Sequence, residues 1–513
     1  MENKKTNGFQ SGIGFILASA GSAIGLGNLW SFPYKTAKYG GAAFVFMYLT
    51  SVLLIGVIVM FCEFHVGRRA KGNPITAYKK ANKKFGFLGL VAILIPFLIV
   101  CYYSILGGYT IKYTVSSFSG TVGIIGAFAS NKLGVIIFTF AFILLAVLVV
   151  MGGVKKGIEN ASKILMPALF LILVALAIYA NCLGTGVKEG LNFFLNPNFA
   201  KLGLEGVLAA MSQAFFSLSL GMGIMVSYGS YAGKEVKVGK SIVYICIFDT
   251  LVALLGGLIV FPSAFHFNSN IDTTTLNGMT LMFGVLPQIF TSLGGFGKVV
   301  SLFFYAMVTI AALTSVISLF EVITQFAIQK FKVKRKIAIL IVAIVCFLIS
   351  VPIGISLGMA INEKATMQIF GQNYLDFLDQ IANIVLMPIG ALGACLIVGY
   401  GLTSNDSKKQ TFNQKVLNEK LVSEDFYLGK FQKVFVFMVK FITPVLIAVV
   451  EVFGVIDIVF PKNNGARAFS INGLGLVAVA LAILAICIVL YFLLLINRET
   501  GENADELELE EKA

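Results

Sequence analysis

The stretch Ala20-Gly21-Ser22-Ala23-Ile24-Gly25-Leu26-Gly27-Asn28 lies in the middle of a run long enough to cross a membrane, yet it is poorly made for a helix. Apolar residues flank it, Ile13 to Ala18 before and Leu29-Trp30-Ser31-Phe32-Pro33-Tyr34 after. Each glycine costs roughly 1 kcal/mol against alanine in a helix interior, and Asn28 puts an amide at bilayer depth. Backbone that leaves the helix inside a membrane has to line protein or a water-filled cavity, where its freed carbonyls and amides become ligands for ions and charged solutes. Residues 11–39 therefore read as a broken span with a binding site at the break.

Working outward, the rest of the chain supports a polytopic membrane protein. Its 513 residues are 58% hydrophobic and only 12% charged, with a mean hydropathy of +0.90. Runs able to cross a hydrocarbon core of roughly 30 Å fall at 11–38, 41–67, 87–114, 131–151, 161–183, 206–232, 238–262, 299–329, 337–356, 374–400, 433–459 and 471–496. These are spans 1 to 12. The formal charge of +14 does not point to nucleic acid, because the lysines and arginines gather in short loops: 68–84, 155–156, 234–240, 330–336 and from Lys408 onward. These alternate with poorly charged loops, the positive-inside pattern, which places both termini in the cytoplasm. Residues 1–8 are polar and form no signal peptide, and residues 497–513 form an acidic, solvated tail. Seven cysteines without paired spacing give neither a disulfide framework nor a zinc site. In the outer loop 262–297, the apolar stretch from Met279 to Phe290 is either a lid or a surface helix.

A second interrupted span matches the first. Phe215-Phe216-Ser217-Leu218-Ser219-Leu220-Gly221-Met222-Gly223 puts glycines and hydroxyls in the middle of span 6. Spans 1 and 6 open two sets of five, and because five is odd the second set enters from the opposite side. Matching interruptions in two inverted halves point to a midplane transport site. The alternative is that the small residues only permit close helix packing.

Gly21-Ser22-Ala23-Ile24-Gly25-Leu26-Gly27-Asn28-Leu29-Trp30, with Phe32-Pro33-Tyr34 and Gly40-Gly41-Ala42-Ala43-Phe44, resembles the first-helix signature of the neurotransmitter:sodium symporter family in its bacterial amino-acid-transporting branch. The likeness runs from about residue 8 to about 496. It implies an all-α LeuT-type fold of 12 transmembrane helices, a 5+5 inverted repeat with helices 1 and 6 broken. As one transporter domain over 1–513, the chain would hold one repeat in 11–183, the other in 206–400, and two further helices in 433–496.

The resemblance also implies two sodium sites. For the first, the matching groups are the Ala23 carbonyl, the Asn28 side-chain oxygen, Ser217, Asp249 of span 7 and the substrate carboxylate itself. A shared ligand couples the two solutes, since each raises the other's affinity. For the second, they are carbonyls of Gly21, Ile24 and Ala311 with the hydroxyls of Thr314 and Ser315. Taken alone, such hydroxyls would bond back to their own helix. A buried Asp249 costs roughly 2.5–3.5 kcal/mol on insertion scales and needs a partner. That partner is the first sodium or a neighbouring hydroxyl. Where animal relatives carry an amide and use chloride, Asp249 would supply the negative charge, so no chloride requirement is expected.

For an amino-acid substrate, the carboxylate would meet the amides of Leu26 and Gly27 and the Tyr103 hydroxyl, at the positive end of a half-helix. The ammonium would meet carbonyls of Ala23, Phe216 and Ser217 and the Ser219 hydroxyl. The side chain would lie among Ile99, Leu106, Phe216, Met222, Ser318 and Leu319, an uncharged pocket suited to apolar or aromatic groups such as those of tyrosine, tryptophan or leucine. Met222 is unbranched and adaptable.

The gates depart from the family. A basic residue is usual where this chain has Ser31, and Lys35, one turn on, would face Asp379 of span 10 in its stead. On the cytoplasmic side Lys5, Phe9 and Gln329 stand where a stronger charge pair is usual. Gly157 and Pro167 match the spacing that lets span 5 unwind. The family implies that Glu63 bonds unwound backbone near span 6, and Glu321 either attracts sodium or is an ordinary buried acid. The resulting expectation is sodium-coupled import of amino acids by a multi-pass protein of the bacterial cytoplasmic (inner) membrane. Its partners would be substrate, sodium ions and the lipid bilayer, with no nucleic acid and the oligomeric state left open. A sodium-independent exchanger of the same fold is the alternative. A channel would not need substrate and ion to share ligands. An enzyme is excluded by the want of a reactive constellation, with only His65 and His266 and no placed nucleophile.

Overall fold

A computed structural model describes residues 8–119, 125–233, 235–267, 282–283, 286–292, 294–362, 367–400, 432–463 and 466–510. Lys5 and Lys408 lie outside the described residues, as do Met279 to Leu281. Ten continuous described helices are long and apolar enough to cross a membrane. They are Ala42–Ala70, Lys83–Ser119, Lys132–Met151, Val154–Asn181, Val238–His266, Gly294–Phe331, Arg335–Ile361, Tyr374–Tyr400, Lys433–Val459 and Ile471–Tyr491, which are spans 2 to 5 and 7 to 12. Span 1 is a bent pair, Gly12–Ala23 and Gly27–Lys38, inclined at 52°. Span 6 is Phe199–Ser217 followed, after residues 218–223, by Ile224–Tyr231. The one described sheet is a two-stranded antiparallel ribbon, Lys462–Asn463 with Ala466–Arg467.

The breaks fall at the weak sequences. Ile24 ends the first half of span 1 in an extended conformation, and the chain resumes in a wide π-helical turn over Gly27–Ser31. In span 6, Ser219, Gly221 and Gly223 all have positive φ. Gly221 needs its lack of a side chain twice over, for its φ of +78° and because a methyl there would run into the Met387 carbonyl.

Spans 1, 2, 6 and 7 pack on one another as one group, and spans 3, 4, 8 and 9 as another, with the pairing of spans 3 and 8 the most extensive. Span 5 touches both groups through spans 1, 7 and 8. Most helices run a few residues past the hydropathy limits, and spans 5 and 6 start earliest relative to them. Span 5 begins at Val154 rather than 161, because the basic residues 155–156 are taken up in a π-helical turn over Val154–Glu159. Span 6 begins at Phe199, with a kink at Gly203. Between spans 7 and 8, Met282 and Phe283 are held by the hydroxyls of Tyr305 (2.7 Å) and Tyr113 (2.9 Å), which donate to their carbonyls. Large apolar side chains such as Leu171, 72% exposed, cover the outer surface as a bilayer requires.

Candidate functional site

The break in span 1 delivers Asn28 into a buried cluster. Its Oδ1 accepts the Gly25 N–H at 3.2 Å, closing the break on itself. Its Nδ2 donates to Asp249 Oδ1 at 2.8 Å and to Ser217 Oγ at 3.0 Å. The Ser217 hydroxyl lies 2.8 and 2.7 Å from the two Asp249 oxygens, and Tyr48 donates to Oδ2 at 2.8 Å. Asn28, Tyr48 and Asp249 have no exposed surface. The carboxylate thus has three side-chain donors from spans 1, 2 and 6, charge-assisted bonds that offset its burial. Ala23, which ends the first half-helix, is buried as well.

A second cluster joins span 1 to span 8. Ser315 Oγ donates to the carbonyls of Ser22 (3.2 Å) and Ile24 (3.3 Å). Thr314 Oγ1 instead bonds back to Ile310 and Ala311, so that a hydroxyl and the Ala311 carbonyl lie 3.0 Å apart. Gly21 packs against Thr314 and Met166, where a methyl would approach the Met166 sulfur to 3.0 Å. Ser22 and Ser318 share a hydrogen bond of 2.7 Å between hydroxyls. Ser219, at positive φ, donates to the Ser22 carbonyl at 2.9 Å. Three serine hydroxyls thus converge on the one residue Ser22.

Between the clusters lies the space read as a substrate site. The Leu26 N–H donates to the Tyr103 hydroxyl at 3.2 Å. Gly27 sits against the Phe216 ring, 2.7 Å from where a methyl would go. Ile99, Met222, Ser318 and Leu319 are buried. Leu26, Tyr103, Leu106 and Phe216 form the floor of a cavity of 1410 Å³ that opens to one face of the protein. Its walls carry Lys35 on one side and Asp379 on the other. They are not joined: Lys35 Nζ donates to Gln213 Oε1 at 2.8 Å, as Ser31 does at 2.9 Å, while Asn383 donates to Asp379. Gln213 in turn donates to the Gly27 carbonyl at 3.1 Å.

Among the described residues, side-chain contacts bridge the opposite face. Along span 8, Glu321, Gln325 and Gln329 recur every four residues; the first two meet span 6 of the other helix group, and Gln329 meets the start of the short helix Pro74–Ala81 that links spans 2 and 3. Tyr231 donates to Glu321 at 2.7 Å, Gln325 to Ser230 at 2.9 Å, and the Asn73 N–H to Gln329 at 2.9 Å. Arg335 of span 9 forms an ion pair with Glu321. Phe9 packs edge-on to Phe15 and Tyr228. Nearer the middle, Glu63 Oε1 accepts the Gly221 N–H at 2.6 Å, satisfying backbone freed by the span 6 break. Gly157 lies in the π-helical turn of span 5, and Pro167 inside the following helix.

Sequence reasoning missed Tyr48, Gln213, Ser22 and Arg335. A polar Gln213 inside an apolar span was a usable signal. Tyr48, one of 17 tyrosines, gave none.

Two broken spans that surround a buried carboxylate and a serine cluster, beneath a vestibule open to one face, define a membrane transporter. The chain belongs to the sodium:neurotransmitter symporter family, whose model matches residues 6–124 and 128–499. Among curated relatives, the uncharacterized sodium-dependent transporter YhdH of Bacillus subtilis is 34% identical, over 84% of this chain and 96% of its own length. An uncharacterized sodium-dependent transporter of Haemophilus influenzae is 30% identical, over 87% and 98%. The crystal structure of MhsT in complex with L-phenylalanine superposes with a TM-score of 0.77 at 34% identity, covering 87% of this chain and 99% of that one.

Proposed function

We propose that the protein is a sodium-coupled symporter that brings amino acids with apolar or aromatic side chains into the cell, using two sodium ions and no chloride. It would sit in a bacterial cytoplasmic membrane with both termini inside. The basic loops then face the cytoplasm, and the open vestibule faces outward. The observation that carries the reading is the Asp249 cluster. Spans 1, 2, 6 and 7 meet at one buried carboxylate whose ligands, Asn28 and Ser217, also border the break where a substrate carboxylate would lie. A cation entering there would replace the hydrogen-bond donors as the partner of Asp249 and join span 1 to span 7. The uncharged pocket of Ile99, Leu106, Phe216, Met222, Ser318 and Leu319 favours apolar or aromatic side chains, and the phenylalanine bound by MhsT supports that class.

Alternating access follows from the two helix groups. Outside, Lys35 would leave Gln213 for Asp379 as the vestibule closes. Inside, the bonds of Glu321 and Gln325 to span 6 would part.

The test is uptake by proteoliposomes over a panel of amino acids under an imposed sodium gradient, with lithium and potassium controls. Sodium-driven accumulation of leucine, phenylalanine, tyrosine or tryptophan, unchanged when gluconate replaces chloride, is the expected result. Uptake indifferent to sodium would instead identify an exchanger.

A further inference from the structure

Glu159 has only 1% of its surface exposed and bears no part in either cluster described above. Its carboxylate gathers three donors. Oε2 accepts the Gln10 N–H at 2.8 Å, and Oε1 accepts the Ser11 hydroxyl at 2.9 Å and Lys163 Nζ at 2.7 Å. Ser11 is the N-cap of span 1 and accepts the Gly14 N–H at 3.0 Å, so the carboxylate completes the cap and faces the positive end of that half-helix. Gly14 makes the approach possible, since a methyl there would coincide with the Glu159 carboxyl group.

The same residue ends the π-helical turn Val154–Glu159. Such wide turns are the places where a helix parts most readily. Gly157 adds flexibility within it, and Pro167 leaves the Lys163 carbonyl without its helical donor. The segment between them reaches Met166, which packs on Gly21 beside Thr314. Segment 157–167 therefore covers the serine cluster from one side, and its weak end is tied to the start of span 1.

Were the inner half of span 1 to swing away, Glu159 would lose two of its three donors and keep only Lys163 of its own helix. Breaking two charge-assisted bonds costs free energy, which binds the two movements together. From this geometry we infer that Glu159 is a positioning residue that joins the cytoplasmic half of span 1 to the opening segment of span 5, and so governs how readily sodium and substrate leave the site inward. The inference rests on the inward-transport reading above for its direction.

The test reads opening without transport. A Ser19→Cys reporter is placed on span 1, where Ser19 is fully buried, in a Cys182→Ser background that removes the one exposed cysteine among those described. Its labelling by a membrane-permeant thiol reagent is followed in choline medium without substrate. Glu159→Gln is expected to speed labelling about tenfold, the scale of a lost charge-assisted bond. Gly14→Ala, which evicts the carboxylate while leaving every bonding group in place, should do the same. The double variant should exceed neither, because both break one latch. Labelling of both single variants within about twofold of the parent, or additive effects in the double, would overturn the inference. A lowered melting temperature with unchanged labelling would make Glu159 merely structural and overturn it too. If Glu159→Gln does not accumulate in membranes, Gly14→Ala alone decides by the same two limits. Failure of amino-acid uptake would remove the transport reading and leave these labelling rates as they are.

Discussion

Asp249 shows how one buried charge can hold four helices and still be free to act. Its oxygens accept from Asn28, Ser217 and Tyr48, each from a different span. Bonds of this charge-assisted kind contribute roughly 1.5–3 kcal/mol each. Tyr48→Phe removes one without altering shape. In sodium titrations of uptake it is expected to raise the half-saturating sodium concentration about tenfold, with the maximal rate little changed. Asp249→Asn removes the charge. Chloride should then stimulate whatever transport remains, which the gluconate exchange would measure; a variant still indifferent to chloride would show that the carboxylate does not stand in for an anion. At the serine cluster, Thr314→Ala with Ser315→Ala deletes two hydroxyls that border carbonyls of span 1 and span 8. Sodium dependence of uptake in that variant should lose its cooperativity, a Hill coefficient near 1 being the readout.

At the level of the element, the broken spans stand because side chains of other spans meet several of the freed backbone groups. Glu63 receives the Gly221 N–H, Ser219 and Ser315 serve the Ser22 carbonyl, and Gln213 serves that of Gly27. An unpaired N–H in an interior without water costs roughly 1–3 kcal/mol. Glu63→Leu should accordingly lower the thermal unfolding temperature of the detergent-solubilised protein, by that loss and by the space the carboxyl leaves. Gly27→Ala acts differently, since its methyl would press on the Phe216 ring. Its expected signature is weaker substrate binding, read as a raised half-saturating amino-acid concentration, with unfolding temperature nearly unchanged.

Across the whole molecule, among the described residues, one face holds the open vestibule and the other is bridged by contacts of span 8. Within the vestibule of 1410 Å³, Lys35 and Asp379 are engaged with Gln213 and Asn383 rather than with each other. The bridged face is held by three uncharged or internally balanced contacts spaced along span 8. Sodium and substrate together should close the vestibule. A cysteine placed at Ala209 on its wall should be labelled from outside at least about fivefold more slowly in their presence, the low end of ordinary coupling energies. Lys35→Gln should weaken that protection, and full protection in the variant would mean that closure does not use the pair.

The chain by itself determined the membrane class, the positions of the spans and the two breaks, because hydropathy, glycine cost and the positive-inside bias are local properties summed along a segment. Asn28, Ser217, Asp249 and Ser315 were also legible, as polar groups in apolar spans whose types resembled a family's motifs. What only the tertiary structure decided is who meets whom. Tyr48 and Gln213 matter through partners 201 and 178 or more residues away in sequence. Lys35 turns to Gln213 in the open vestibule, and Ser22, an ordinary small residue in the motif, gathers three hydroxyls because the span 6 break and span 8 both face it. Span 5 begins earlier than hydropathy indicates, since the π-helical turn that takes up Lys155 and Lys156 is stabilised by a carboxylate docked on another helix's cap. Periodicity and composition describe one helix at a time, whereas a hydrogen bond between helices depends on their relative placement, which packing alone sets.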